Sequence, residues 1–313
     1  MILVGDVGGT RTRLALAVRN PGGWQIENLS ERPTEEDVVP AIREFLGGVA
    51  RPELEAVAFC GAGSVAADGS IRLTNAVGRL EPAALARAAG VSRAILINDF
   101  AAIAESLPEL RAPDLAPCGG GIARRAARVV MGPGTGLGVA IAAPAGTGWT
   151  VIAGDGGHAD LAPVDDEELA AWRRLRERHG RVSAETVLCG PGLERLHAAL
   201  HDGSPRLGAS EIAEHAWRGE AQASRTIAIF TRWLGSVAGN LALIAGAQGG
   251  VYLAGGIVPR WAGHFDAALF RRAFEDKPPY AEWLAGIPAF VVTHPAPALL
   301  GLAALAGSYT ARG

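Results

Sequence analysis

Three glycine-rich segments that follow apolar runs are candidates for binding a phosphate or a nucleotide. In the first, GDVGGT at residues 5–10, Asp6 precedes Gly8 and Gly9, which tolerate unusual backbone angles and let main-chain N–H groups approach an anion. Asp6 is also a candidate for organising Mg²⁺, directly or through water, because magnesium takes few carboxylates and keeps several waters. Taken alone, the segment fits a tight hairpin turn equally well.

The second segment, GPGTGLG at residues 132–138, lies between the apolar runs VVM and VAI. Four glycines and Thr135 between two strands suit a hairpin that wraps phosphates with main-chain donors and a hydroxyl. It is neither a Walker A loop, because GxxxxGK[ST] is missing, nor a dinucleotide fingerprint, because no long helix pattern follows.

The third segment, LAGGIV at residues 253–258, would let the backbone approach an adenine or ribose, although an ordinary helix start fits it as well.

A paired Asn98-Asp99 follows the apolar run AILI and places an amide and a carboxylate at a fourth strand end. Residues of these types most often cap the N-terminus of a helix. Residue type alone therefore leaves the chemical role of this pair open.

The segments that must position these residues alternate between strand and helix patterns. The N-terminal stretch predicts a hairpin, because ILVGDV and the period-2 run RTRLALAV flank the first glycine turn, and a second turn follows at residues 20–23. The later alternation is typical of an α/β fold. Helices are predicted near 34–49, 82–90, 165–180, 183–202, 208–218 and 221–247, and strands at 56–60, 94–97, 128–131, 251–254 and 290–292. The Pro- and Gly-rich stretch 108–121 predicts a linker between two lobes.

Composition favours a two-domain protein that acts on a small molecule. The chain has 313 residues, which is too many for one ordinary small core, and 49% of them are hydrophobic. Lys and Arg total 29 against 32 Asp and Glu, so no charge pattern for nucleic acid or anionic lipid is visible. The separated Cys60, Cys118 and Cys189 predict buried small hydrophobes, and neither a disulfide framework nor a zinc site. Met1 runs into an apolar stretch without a basic region or cleavage site, which predicts a cytoplasmic location.

Two segments invite other interpretations. Residues 233–258 carry no charge and exceed the roughly 20 residues that a membrane helix needs. Polar residues and two Gly-Gly pairs interrupt them, so we predict a buried helix to about Ala247, a glycine turn and a strand, and no membrane contact. The acidic run at 165–168, followed by arginines, predicts a solvated helix whose charges complement the helix dipole.

Together, the glycine segments and Asn98-Asp99 resemble the glucokinase branch of the hexokinase and actin-like ATPase superfamily, outside its ROK group. The resemblance covers nearly the whole chain. GDVGGTRTRLALA and GPGTGLG resemble the phosphate motifs, LINDF the catalytic motif, LAGGIVPR the adenosine motif, and GDGGHADLAP and RVSAETVLCGPGL the sugar-pocket segments.

The resemblance implies a two-lobe α/β fold of the actin-like ATPase (ribonuclease H-like) type with a central cleft. Residues 1–109, completed by a C-terminal helix at 297–313, would form the small domain and 110–296 the large one. Members of the family are commonly homodimers, which is the expected assembly.

The resemblance implies ATP and Mg²⁺ as cofactors and glucose as substrate. Asp99 is then the base that receives the proton of the sugar 6-hydroxyl, since phosphoryl transfer needs an acceptor for that proton, and Asn98 binds a neighbouring hydroxyl. Further sugar contacts are expected from polar side chains that can pair with hydroxyls: Asp155, His158, Glu185 and, as a weaker candidate, Asn75. Nucleotide contacts are expected from Asp6, which would also lie near Mg²⁺, and from Gly8, Gly9, Thr10, Gly132, Gly134, Thr135, Gly136, Gly255 and Gly256.

Two positions depart from the family pattern. Asp155 stands where the family has a glutamate, one methylene longer, which leaves the details of the sugar contact open. Arg11 stands where many relatives have asparagine or lysine, and it either touches phosphate or projects from the hairpin. Two alternatives without a sugar role also stay open: His158 as a core histidine, and Glu185 as a residue of a helical first turn.

The predicted function is that of a glucokinase, which phosphorylates D-glucose at the 6-hydroxyl with ATP. The first alternative is a kinase of another hexose or of an N-acetylhexosamine. Within that alternative a ROK kinase is disfavoured, because the cysteine motif CxCGxxGC is absent from the sequence. The second alternative is a non-catalytic actin-like nucleotide-binding protein, which would need no sugar-binding residues.

Overall fold

The computed structural model describes residues 1–49, 53–74, 78–201, 203 and 205–310. Within these residues the chain forms thirteen strands and twelve α-helices. The strands, in chain order, are β1 (Ile2–Val7), β2 (Arg11–Asn20), β3 (Gly23–Pro33), β4 (Ala56–Gly61), β5 (Ile71–Arg72), β6 (Arg79–Leu80), β7 (Ala94–Asn98), β8 (Leu115–Pro117), β9 (Arg128–Pro133), β10 (Leu137–Ala145), β11 (Gly148–Gly154), β12 (Val251–Leu253) and β13 (Ala289–Val292). The helices are α1 (Val39–Gly48), α2 (Pro82–Ala89), α3 (Asp99–Ser106), α4 (Asp166–His179), α5 (Ala184–Val187), α6 (Gly190–Leu200), α7 (Ala209–Trp217), α8 (Ala221–Ala245), α9 (Val258–Trp261), α10 (Ala267–Glu275), α11 (Ala281–Ala285) and α12 (Pro297–Thr310).

The first of two compact units comprises Met1–Ala112 and His294–Gly313. Its main sheet has the order β3-β2-β1-β4-β7, in which β1 is antiparallel to β2, and β1, β4 and β7 are parallel. The central strands β1 and β4 are buried along most of their length, as strands with covered faces require. α12 packs so closely on α3 that a Cβ on Gly301 would lie 1.8 Å from the carbonyl oxygen of Ala102.

The second unit, Pro113–Thr293, contains a sheet of order β11-β10-β9-β12-β13-β8. β9 and β10 form an antiparallel hairpin, while β12 is parallel to both β9 and β13. Leu253 at the end of β12 is in register with Met131 of β9. The second and third glycine segments therefore leave neighbouring strands at the same edge of this sheet.

The predicted N-terminal hairpin and its second turn are confirmed, whereas two helix predictions were wrong in their bounds. α1 begins at Val39 and not near residue 34, because Thr34 is hydrogen-bonded to the first glycine turn. The helix predicted at 183–202 is split into α5 and α6. Cys189 caps a new helix start and Pro191 lies in the first turn of α6, a position at which proline needs no hydrogen-bonding N–H.

Part of the segment predicted as a linker, 108–121, is a strand. β8 is an edge strand that pairs antiparallel with β13. Pro117 is tolerated there, since an edge strand has one side on which no ladder hydrogen bond is required. The boundary between the units falls between Ala112 and Pro113. The Pro and Gly content of the segment did not reveal this strand.

Among the described residues, α8 is the helix that is long and apolar enough to cross a membrane by length and composition. Its most apolar window is 61% buried inside the protein. α10 packs closely on it at Gly235 and Gly239, where a Cβ would lie 2.3 and 2.5 Å from main-chain oxygens of Phe270 and Phe274. Gly246, with φ 60°, follows the end of the helix before β12. The prediction of a buried helix, a glycine turn and a strand is confirmed.

The acidic run at the start of α4 was predicted to be solvated, and this is wrong for Glu168. Glu168 is 0% exposed, and Arg232 of α8 lies 3.1 Å from a carboxylate oxygen of Asp165, Glu167 and Glu168 in turn. Asp165 also caps α4 by accepting a hydrogen bond from the main-chain N–H of Glu168. The acidic first turn therefore joins α4 to α8, because Arg232 brings a compensating charge to the buried carboxylate.

Candidate active site

Polar side chains of the first unit lie at the carboxyl ends of three parallel strands. β1, β4 and β7 are in register such that Asp6 lies opposite Cys60, and Gly61 opposite Asn98. The carboxyl ends of parallel strands meet at one edge of a sheet. Asp6, Cys60 and the Asn98-Asp99 pair therefore share this edge.

Asp99 is the first residue of α3, and its carboxyl group has an unusual environment. Burial and, second, the negative charge of Asp6 raise the pKa of Asp99 from 3.8 to about 6. The main-chain N–H of Phe100 donates to Oδ1 of Asp99 at 2.9 Å, which partly offsets the rise. A carboxylate with this pKa is mostly ionised at neutral pH and is a stronger proton acceptor than an ordinary aspartate.

Cys60 is a partner of Asp6 that the sequence did not reveal. Burial raises the pKa of Asp6, and the Cys60 thiol donates to Oδ1 of Asp6 over an Sγ–Oδ1 distance of 3.5 Å. Burial, followed by the charges of Asp6 and Asp99, also raises the pKa of the Cys60 thiol, so the thiol stays protonated and remains a donor. All three cysteines are buried and free, as predicted. The contact between Cys60 and Asp6 was not predictable, because it joins residues that are 54 positions apart in the sequence.

Asn98 is the N-cap of α3. Its Oδ1 accepts from the main-chain N–H groups of Phe100 and Ala101 at 2.9 and 3.1 Å, and its Nδ2 donates to the carbonyl oxygen of Gly63 at 3.1 Å. The common capping role is therefore present. The Asn98 side chain also hydrogen-bonds the Asp99 carboxylate, which lowers the pKa of Asp99 and offsets part of the rise caused by burial.

The turn between β1 and β2 carries the first glycine segment. The N–H of Gly8 donates to the carbonyl oxygen of Arg11 at 2.9 Å, which closes the turn. Thr34, for which the sequence predicted no role, fixes this turn: its N–H donates to Thr10 O at 3.0 Å and its hydroxyl to Gly8 O at 2.7 Å. The side chain of Arg11 is exposed and pairs with Glu31. Of the two alternatives for Arg11, this arrangement corresponds to projection from the hairpin.

The second and third glycine segments pack main chain against main chain in the second unit. The N–H of Ala254 donates to the carbonyl oxygen of Met131 at 2.8 Å. A Cβ on Gly132 would lie 2.6 Å from the backbone of Ala254, and Gly255 has φ +83°, a conformation that glycine adopts without strain. Gly132 and Gly255 are thus required by close packing and backbone conformation.

At the tip of the β9–β10 hairpin, the N–H of Gly134 donates to the carbonyl oxygen of Gly136 at 2.8 Å, which makes a tight turn with Thr135 exposed at its centre. Gly256 follows Gly255 and is half-buried. The predicted phosphate and adenosine segments are therefore neighbours and offer mostly backbone to a ligand.

Glu185 and His158 lie together beside this hairpin. Oε2 of Glu185 accepts a hydrogen bond from the main-chain N–H of Leu137 at 2.7 Å, and Oε1 lies 3.8 Å from Nε2 of His158. Both side chains line a cavity of about 310 Å³ with His179, Arg181, Ser183, Thr186 and Arg195. His158 is 65% exposed, so the core-histidine alternative is wrong. Glu185 does lie in the first turn of α5, but its carboxylate is directed to the hairpin.

Asp155 precedes a single 3₁₀ turn, Gly156–His158, and its side chain is exposed. Its carbonyl oxygen accepts from the main-chain N–H of His158 at 2.9 Å, so backbone geometry joins the two predicted sugar contacts. Asn75, the weaker candidate, lies outside the described residues.

Comparison with known proteins identifies the family. The family model described as Glucokinase matches residues 3–309. A glucokinase from Chromobacterium violaceum is 42% identical over 310 residues, which cover 96% of this chain and 88% of that protein. The crystal structure of a glucokinase from an Antarctic psychrotroph has a TM-score of 0.89, 32% identity and 98% coverage of both chains.

A more distant structure shows the fold alone. The ROK family glucokinase from Streptomyces griseus, in complex with glucose and AMPPNP, has a TM-score of 0.62 and 21% identity, and the match covers 98% of this chain and 99% of that one. With the mixed α/β architecture above, these likenesses confirm the predicted α/β fold of the actin-like ATPase class. Because the family model and the curated relative span nearly all of the sequence, the chain belongs to the glucokinase family.

Proposed function

We propose that this chain phosphorylates D-glucose at its 6-hydroxyl with ATP, and that Asp99 is the general base. The observation that carries the assignment is the Asp99 carboxyl group at the start of α3, with its pKa raised to about 6. Membership of the glucokinase family makes the chain a kinase and supports glucose as its substrate.

In this reaction Asp99 accepts the proton of the sugar 6-hydroxyl as that oxygen attacks the γ-phosphorus of ATP. The bond from the γ-phosphorus to its bridging oxygen breaks, and ADP leaves with the bond's electron pair. The proton stays on Asp99 until solvent removes it. Positioning and charge stabilisation provide most of the remaining acceleration, since phosphoryl transfer requires little covalent chemistry from the protein.

The glycine segments fit the phosphates and the adenosine of ATP, which supplies the transferred phosphoryl group when bound. Close packing at Gly132 and the conformation of Gly255 leave a surface of main chain, which is suited to donate N–H groups to an anion. AMPPNP, an ATP analogue, is bound by the Streptomyces griseus structure of the same fold. The proposed contacts are Gly8, Gly9, Thr10, Gly132, Gly134, Thr135, Gly136, Gly255 and Gly256.

We assign Mg²⁺ to Asp6. The burial that raises the pKa of this carboxyl group makes its ionised form costly, and a divalent cation would offset that cost. No group of three or more His, Cys, Asp or Glu side chains within the described residues is arranged to hold a metal ion. The magnesium assignment therefore depends on Asp6 together with oxygens of the nucleotide and of water.

For the sugar we propose Asn98, His158, Glu185 and Asp155. Glucose presents hydroxyls that donate and accept, which imidazole, amide and carboxylate groups can match. The second candidate function is a related kinase of another hexose or of an N-acetylhexosamine, because the short, exposed side chain of Asp155 leaves room for a different sugar. Asn75 stays a weaker candidate.

The remaining assignments follow from the family resemblance. We propose that residues 1–109, with the C-terminal helix, and residues 110–296 are the small and large domains flanking a catalytic cleft. The protein is further proposed to work as a homodimer in the cytoplasm, without nucleic acid or membrane. Size-exclusion chromatography with light scattering tests the assembly.

Release of ADP measured across a panel of sugars tests the function. We expect release that depends on a sugar and is fastest with glucose. Sugar-independent ATP hydrolysis would favour a non-catalytic or filament-forming actin-like protein, and a maximum with N-acetylglucosamine or mannose would favour the related kinase.

A further inference from the structure

The two carboxylate oxygens of Glu185 have different partners. Oε2 accepts the main-chain N–H of Leu137 at 2.7 Å, whereas Oε1 lies 3.8 Å from Nε2 of His158, and the cavity is lined by both residues. One oxygen is thus committed to the β9–β10 hairpin, and the other faces the groups proposed to bind the sugar.

The hairpin is shaped to receive this carboxylate. A Cβ on Gly136 would lie 2.5 Å from Oε2 of Glu185, so the glycine leaves the space that the oxygen occupies. A second contact joins the same region to the hairpin, because the N–H of Gly190, at the start of α6, donates to the carbonyl oxygen of Gly134 at 2.8 Å. The segment from α5 to α6 therefore supports the glycine turn at two points.

The direction of the Leu137 hydrogen bond matters for the turn. Leu137 is 4% exposed and begins β10, and its N–H points to Glu185 and so is not available to a phosphate. A buried N–H without an acceptor costs free energy, so removing the carboxylate would force this part of the turn to rearrange. Glu185 thereby removes the Leu137 N–H from the main-chain donors of residues 132–138 that a ligand could use.

We propose that Glu185 is the positioning residue of the second phosphate segment, in addition to its proposed contact with the sugar. Nucleotide affinity then depends on Glu185 even when no sugar is present. Since one carboxylate contacts both regions, sugar and nucleotide also affect each other's affinity by the same factor. This inference rests on the proposed function in that residues 132–138 bind the nucleotide and, for the coupling, in that Glu185 contacts the sugar.

Calorimetric titration of the sugar-free protein with ADP and Mg²⁺ tests the inference. Glu185→Ala should weaken ADP binding about fivefold to tenfold, the loss expected for one hydrogen bond and its buried donor. Glu185→Gln should restore near wild-type affinity, because an amide oxygen can still accept from Leu137. A residue that contacts only the sugar would leave ADP affinity unchanged in both variants, and that result would overturn the inference.

Two control variants isolate the contact. Glu194→Ala removes a comparable carboxylate, whose Oε1 accepts from the main-chain N–H of Ala209 at 3.2 Å, and His158→Ala removes the neighbour of Glu185 that has no bond to the hairpin main chain in the described residues. Both should bind ADP as the wild type does. If Glu185→Ala does not fold, as judged by thermal unfolding, Glu185→Asp replaces it, because the shorter side chain cannot reach Leu137. Glucose-dependent ADP release by the wild type is measured separately, so failure of the proposed function is distinguishable from failure of this inference.

Discussion

The two units hold their candidate site residues by different means. In the first unit, Asp6, Cys60 and Asp99 lie at strand ends, where burial raises all three pKa values and the charge of Asp6 adds to the rise at Cys60 and Asp99. In the second, the glycine segments offer main chain, and His158 and Asp155 are exposed. Buried carboxylates are suited to proton transfer, whereas exposed polar groups and backbone donors are suited to recognition. Substitution of the buried carboxylates Asp6 and Asp99 should therefore lower kcat, and substitutions at exposed positions of the second unit should mainly change KM.

The largest expected effect tests the first half of this comparison. Asp99→Asn should lower kcat by about 10²-fold or more, because the amide cannot accept the hydroxyl proton. Affinity for glucose, measured by calorimetry, and the melting temperature should stay close to those of the wild type. A variant with near-normal kcat would remove Asp99 from its proposed role.

The pH profile provides a second test of the same carboxyl group. The raised pKa of Asp99 means that the reactive, ionised form is lost as the pH falls through about 6. We expect log kcat/KM to decline with unit slope below that value, about tenfold per pH unit. Mg²⁺ at Asp6 would reduce the contribution of that charge and move the midpoint lower. Residual activity of Asp99→Asn should lack this limb, and a wild-type profile that is flat down to about pH 4.5 would contradict the assignment.

The sequence predicted features that depend on local pattern. The N-terminal hairpin follows from period-2 alternation and glycine turns. The break after α8 is predicted near Ala247 from polar residues and Gly-Gly pairs, and the structure ends α8 at Ala245, with Gly246 in the left-handed conformation. The family resemblance, and not residue spacing, directed attention to Asp99. Its raised pKa was not predictable, because burial and the charge of Asp6 both depend on strand pairing.

Contacts between distant segments account for the errors. Thr34 fixes a turn more than twenty residues earlier, so α1 starts later than its helical pattern indicated. Arg232 of α8 compensates Glu168, so a run of acids that looked solvated contains a buried carboxylate. The packing of Gly132 on Ala254 likewise links segments far apart in sequence. Glycine content predicted that these loops are tight, but not which backbone they contact.

Asp155→Glu tests the second half of the comparison. If Asp155 faces the sugar through a bridging water, the added methylene should allow direct contact and lower KM for glucose several-fold with similar kcat. If the shorter side chain instead admits a 2-substituted sugar, the wild type should phosphorylate N-acetylglucosamine or mannose, and Asp155→Glu should selectively lose that activity. Steady-state kinetics with these sugars separates the outcomes, and unchanged kinetics would place Asp155 away from the sugar.

The smallest expected effect concerns Glu105, a second carboxyl group of the first unit whose pKa is raised. Burial raises the pKa of Glu105, in α3, from 4.5 to about 7, without the second carboxylate that contributes at Asp99. The folded protein therefore holds this proton more tightly than the unfolded chain does, so wild-type stability declines as pH rises from about 4.5 to 7.

Glu105→Gln, which is neutral throughout, should melt higher than the wild type at pH 8 and lose this advantage toward pH 5. Because Glu105 is only half-buried, the gain at pH 8 should be about 1–3 °C in calorimetry. The exposed Glu53→Gln serves as the matched control and should show no pH-dependent difference. Equal melting temperatures for Glu105→Gln and the wild type at pH 8 would mean that solvent reaches this carboxylate. A stabilised variant with unchanged kcat would instead show that burial in α3 raises a pKa without creating a base, and that the position of Asp99 at the strand edge is what suits it to proton transfer.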